Sequence, residues 1–193
     1  MPIDPLSELS HQLLKIDAEL AYEALLPKIP GSPQAKSILD RTPPPALIAT
    51  RLSDLENANL LRSALYLWHD YLPEAHEIYQ EINTPTCSFW HAIMHRREGD
   101  FVNSKHWYAR CAEHPVLEII AAQANPILNP LPFDKSVLKL TVGGWNPDEF
   151  VDLVAEIEKT PDDPRRKIAV ALQKLEWRIL FDHTARNAVM NLE

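Results

Sequence analysis

Leu6, Leu9, Leu13, Ile16, Leu20 and Ala24 recur at steps of three and four, the spacing that gathers one face of an α-helix. They predict a first amphipathic helix that starts at Asp4 and ends before Pro27. Residues 26–45, LPKIPGSPQAKSILDRTPPP, break the pattern, because prolines and a Gly-Ser step forbid a long helix. Ile29, Ile38 and Leu39 still need cover there, which predicts an ordered loop with one short turn. Helical periods then follow at roughly 46–52, 54–70, 74–82, 86–98, 102–113 and 115–124. Their short separators place consecutive helices antiparallel. Between 125 and 146, Val137 to Val142 reads as a short strand without a partner, too little for a sheet. Helices at about 147–159 and 164–190 close the chain, the second with Ile168, Leu172, Leu175, Ile179 and His183 on one stripe. The pattern predicts an all-α, single-domain chain over 1–193.

The 17 prolines support this reading more than they oppose it. Asp4-Pro5, Asn146-Pro147 and Asp163-Pro164 each put a capping side chain before a proline, whose fixed φ suits the first helical position. They mark helix starts.

Composition then removes function classes. A net charge of -8 opposes non-specific binding to nucleic acid or an anionic membrane, which runs on Lys and Arg neutralising phosphate. No run of about 18 apolar residues occurs and the N-terminal stretch lacks a basic start and an apolar core, so the expected compartment is the cytoplasm. Cys87 and Cys111 have no metal-like spacing and read as reduced, small apolar residues. With four glycines, the chain has no GxGxxG, no GxxxxGK[ST] and no GxSxG. No cofactor is expected.

Two stretches are alike: ALYLWHDYLPEAHEIYQEINTP from Ala64 and HAIMHRREGDFVNSKHWYARCAEHP from His91. Each has a helix ending at an Asp-aromatic step (Asp70-Tyr71, Asp100-Phe101), a small residue (Ala75, Ser104), a tyrosine (Tyr79, Tyr108) and a closing proline (Pro85, Pro115). This resembles the tetratricopeptide helical-hairpin repeat; Gly99, Asp100, Phe101, Ser104, Tyr108 and Pro115 match best, while His69 stands where the first unit would carry glycine. SFWHAIMHRREGDF with the later LFDH is also similar to an uncharacterised all-helical bacterial protein family, from which no activity carries over. The tetratricopeptide resemblance implies antiparallel hairpins over 54–115 with flanking terminal helices at 147–190, and a groove that binds a peptide or protein partner. Stacked hairpins of this kind also self-associate, so a homodimer is a further expectation.

The candidate groove combines Arg62, Tyr66, Trp68 and His69, on one flank of the helix at 54–70, with Arg96 and Arg97, which head a local basic excess between His91 and Arg110. Arginine and aromatic residues together are what recognition surfaces use. A second reading starts from His91, His95 and Glu98, whose H-x3-H-x2-E spacing puts three possible ligands on one helical face. It implies a small metal-assisted or acid-base hydrolytic enzyme built on the helix at 86–98. The helical wheel sets that face opposite Phe89 and Ile93, where solvent is expected. His76, between Glu74 and Glu77, and His106 read as solvated, His114 as a helix cap, and His183 as a buried core histidine.

Overall fold

The computed structural model describes residues 4–111, 113–130 and 134–190. The last part of the Pro-rich stretch around 125–133 and both ends of the chain therefore lie outside the described residues. The described residues hold ten α-helices and three 3₁₀ turns and no strand; two isolated antiparallel β-bridges, Leu6 to Ile48 and Leu52 to Val189, add to them. The helices are α1 Glu8–Lys15, α2 Pro33–Leu39, α3 Leu55–Trp68, α4 Leu72–Gln80, α5 Pro85–Glu98, α6 Phe101–Tyr108, α7 Val116–Leu128, α8 Lys135–Leu138, α9 Pro147–Ile157 and α10 Arg166–Ala188. No described helix is long and apolar enough to cross a membrane.

Capping chemistry sets most boundaries. Asp54 accepts from Asn57 N at 3.0 Å to open α3, Thr84 from Cys87 N at 3.1 Å ahead of Pro85 in α5, Asp100 from Asn103 N at 3.0 Å in α6, and Asn146 from Glu149 N at 3.3 Å ahead of Pro147 in α9. α5 ends at Gly99, whose φ of 89° is the left-handed conformation that releases a helix into a turn. α3 ends in the same way at Asp70, with φ 60°. The two turns thus correspond with a shift of one: Asp70 takes the backbone role of Gly99, and Tyr71 that of Asp100.

α3 with α4, and α5 with α6, form two tightly connected hairpins, and α4 packs on α5. α10 lies mainly across α3 and α7 and touches α5, while α9 covers α6. α5 is the central element: eleven of its fourteen residues are buried. The buried apolar residues form one continuous cluster from Leu13 to Ala188.

Several predicted elements differ. The first helix stops at Lys15 instead of running to Ala24, because Tyr22 is drawn into the core, stacked on Trp68 at 5.7 Å, and Gln173 Nε2 donates to the Tyr22 and Ala24 carbonyls. Asp17 and Tyr22 adopt positive φ to make that route. The 26–45 loop holds a full α-helix, α2, and a 3₁₀ turn at Pro44–Leu47 replaces the helix expected at 46–52. Val137 to Val142 is not a strand: Asp134 caps a helical turn through Ser136 N and Val137 N, and a 3₁₀ turn continues it.

Candidate functional site

The face of α3 and α5 on which a recognition groove was expected is filled by the chain itself. Trp177 of α10 donates to Ala64 O at 3.1 Å, and Trp90 of α5 donates to Thr184 Oγ1 at 3.0 Å. Arg96 donates to Glu176 Oε2 at 2.5 Å and to Tyr108 OH at 2.7 Å, and Tyr108 donates in turn to Glu176 Oε1 at 3.0 Å. Arg96 also lies over the Phe150 ring at 4.4 Å. Burial disfavours its charge, but the fields of Glu176 and Tyr108 outweigh that and raise its pKa.

The expected basic surface is therefore corrected: Arg96 and Arg97 are 1% and 0% exposed. Arg97 donates to Leu67 O at 2.8 Å, Ala24 O at 3.1 Å and Asp70 Oδ1 at 2.6 Å, with its guanidinium 3.7 Å above the Tyr22 ring. Both arginines face inward because α5 has no solvent side, and each finds a buried acceptor set. The other groove candidates disperse. Arg62 donates to Tyr66 OH at 3.2 Å, and Tyr66 donates to Asp40 at 2.9 Å, a partly exposed polar chain on the α2 side. His69 is buried, donates from Nε2 to Leu13 O at 3.0 Å, and has its pKa lowered by burial.

His69 also lines a cavity of about 370 Å³ with Leu20, Ile29 and Pro30, while Trp68 faces a larger open apolar trough, of about 500 Å³, shared with Leu14 of α1, Ile127 of α7, and Ala171, Leu175 and Trp177 of α10. Trp68 and Trp177 are tilted against each other at 4.7 Å. Lys174 and Arg178 also line the trough. Lys174 is paired with Glu23, whereas Arg178 is exposed and donates to the neutral Gln123 Oε1 at 3.0 Å. The Trp68 indole N–H is buried without an acceptor among the described residues.

The histidine reading is altered in two ways. His91 and His95 are not solvated but 3% and 4% exposed, because α6 covers them with Trp107 and Asn103. Glu98 does not join them as a ligand; its carboxylate accepts from His95 Nδ1 at 3.1 Å and is about half exposed. The third imidazole is His76 of α4, half-buried instead of solvated, and the possible ligand atoms of His76, His91 and His95 all lie within 4.8 Å of one another. The sequence did carry a signal for this. Ala75 and Tyr79 mark the seam of α4, and His76 flanks that seam.

The remaining histidines lie apart from this group. His106 is exposed, as expected. His114 Nδ1 accepts from Val116 N at 3.4 Å near the start of α7, in keeping with a cap. His183 is half-buried instead of sunk in the core, because its ring turns to Asn187 Nδ2 at 3.0 Å on the outer side of α10. The thiols of Cys87 and Cys111 are buried and free, and burial pushes both up to about 12. No family model, curated protein or solved structure matches the chain.

Proposed function

We propose that the chain is a tetratricopeptide-like helical scaffold that binds a protein partner, and that it does so through the Trp68–Trp177 trough instead of the face covered by α10. The partner segment presents apolar side chains to the trough and an acidic residue to Arg178. The observation that carries the reading is the conjunction of two tryptophans in an open apolar trough with a neighbouring arginine that has no carboxylate partner among the described residues. A trough of this size takes two or three side chains, and aromatic-arginine pairs supply much of the affinity at recognition sites. The equivalent left-handed turns at Asp70 and Gly99, and the buried Ala75–Tyr79 and Ser104–Tyr108 pairs that follow them, support the repeat-like part of the reading.

Panning a displayed peptide library against the full chain tests it. Enriched peptides are expected to carry apolar residues beside an Asp or Glu, to quench tryptophan fluorescence, and to lose at least tenfold in affinity on Arg178→Glu and on Ala171→Trp, which fills the trough. Peptides that bind both variants as tightly as the parent would place recognition elsewhere.

A further inference from the structure

Independently of the trough, we infer that His76, His91 and His95 form a binding site for one first-row divalent transition ion of the zinc, cobalt, nickel or copper type, which joins α4 to α5. Four observations carry this inference.

The first is convergence. His91 and His95 lie one turn apart on α5, and His76 comes from the adjacent helix of the other hairpin. Ring centroids are 4.9 Å apart for His76–His91, 5.3 Å for His76–His95 and 4.7 Å for His91–His95. Metal–nitrogen bonds of about 2.0–2.1 Å in a tetrahedral site place ligand nitrogens about 3.3 Å apart. From a spread of 4.8 Å, the ligands need only a modest inward turn. His76, half-buried and at the seam, is the ring with room to make it.

The second is an unmet demand. Both ring nitrogens of His91 are buried with no hydrogen-bond partner among the described residues. A neutral imidazole carries one N–H and one lone pair, and native interiors rarely leave either without a partner. A bound ion takes the lone pair.

The third is orientation. His91 is stacked on Trp107 at 4.0 Å with an interplanar angle of 19°, and on His95 at 16°. His95 Nδ1 donates to Glu98, which fixes its tautomer and leaves Nε2 as the electron-pair donor. A carboxylate behind the ring nitrogen that does not bind metal is the usual support of a ligating histidine. Asn103 Nδ2 lies 3.1 Å from Nε2 of His95 and donates to that lone pair in the ion's absence, so metal binding displaces the amide.

The fourth is ligand type. Three imidazoles, with neither thiolate nor carboxylate in the group, favour borderline transition ions over magnesium or calcium, which take oxygen ligands. Solvent supplies the remaining position. Glu98 is thereby a positioning residue, not a ligand.

The test uses the full chain, stripped with a chelator, dialysed and titrated with Co²⁺, whose visible absorption reports coordination number, followed by competition with Zn²⁺. The expected result is one equivalent of four-coordinate Co²⁺, displaced by Zn²⁺, with a melting temperature that rises with ion concentration. His76→Ala and His91→Ala should each weaken Co²⁺ binding about a hundredfold, and Glu98→Gln about tenfold, as loss of an outer partner does. Asn103→Ala should bind at least as tightly as the parent. His76 is half-buried, so its variant keeps the test intact if His91→Ala fails to fold, with circular dichroism as the check. The inference is overturned by the absence of saturable uptake near one equivalent, or by a folded His76→Ala protein that binds Co²⁺ with parental affinity.

Discussion

Arg96 and Glu176 meet at 2.5 Å although 80 residues separate them, and neither is more than 1% exposed. The pair fastens α10 onto the central helix α5 and is completed by Tyr108 and by Trp145 Nε1 at 3.4 Å from Glu176. Its removal tests the division between internal anchor and recognition surface. Arg96→Ala leaves the Glu176 carboxylate without its main buried counter-charge, and breaking such a pair costs about 3–5 kcal/mol. Urea unfolding of Arg96→Ala should show that loss. An Arg96→Met/Glu176→Leu double variant should recover most of it, since an apolar pair requires no desolvated charge. A parental urea midpoint for Arg96→Ala would contradict the anchor assignment.

The turn between α5 and α6 depends on a residue without a side chain. At φ 89° an L-residue at position 99 is strained, and an added Cβ would also sit 3.1 Å from Leu26 Cδ2. Gly99→Ala should destabilise the chain by roughly 1–2 kcal/mol, with Gly99→Asn milder because asparagine tolerates this region. The corresponding Asp70→Gly relieves the strain at φ 60° but removes the carboxylate from Arg97, so it should destabilise overall. Thermal melts of the three variants rank these effects.

A second close approach lies between the α2 segment and the end of α3. Gly31 N donates to His69 O at 2.9 Å, and a Cβ at Gly31 would stand 2.7 Å from that oxygen, which belongs to the backbone and cannot swing away. Gly31→Ala should therefore cost about 1–3 kcal/mol, as overpacking does. Hydrogen exchange is expected to localise the loosening to 29–33 and the α3–α4 turn; uniform loss of protection across α5 would count against a local clash.

Acid should weaken the fold before its carboxylates titrate. Burial lowers His91 to about 3 and His114 to about 4, and also lowers His69, His95 and His183. In the unfolded chain these rings take up protons near pH 6.5, so the unfolded state binds more protons and stability falls as pH drops below that value. The slope is at most about 1.4 kcal/mol per pH unit for each ring that stays neutral. Asp40, Asp134 and Asp163, held low chiefly by hydrogen bonds from Lys36, Ser136 and Arg165, add their loss only below about pH 4. Urea midpoints measured from pH 7.5 to 4.5 should decline through pH 6. His91→Phe, which cannot take up a proton, should flatten that decline; an unchanged slope would remove His91 from the account.

Local signals in the sequence were enough for the all-helical class, for the Asn146-Pro147 start of α9 and for the Gly99 turn, because capping and left-handed turns are decided within a few residues. They also placed the hairpin seam at Ala75, Tyr79, Ser104 and Tyr108, all of them buried. The burial of Arg96, Arg97, His91 and His95 was not legible from a wheel that assumed one wet face. The stretch CSFWHAIMHRR, without an Asp, Glu or Lys, did hint that α5 has none. What covers that helix comes from other elements: Glu176 and Thr184 of α10, 80 and 94 residues from their α5 partners, together with Trp107 and His76 of the flanking helices α6 and α4. The same distance effect ended α1 early, since the contacts of Tyr22 with Trp68 and Arg97 outweigh the helical preference of residues 16–24. The sequence by itself determined the all-helical class and those boundaries, such as the start of α9 and the Gly99 turn, that caps and left-handed residues set within a few positions. Only the tertiary structure decided which side chains meet, because side-chain partners far apart in the chain are chosen by how whole helices pack.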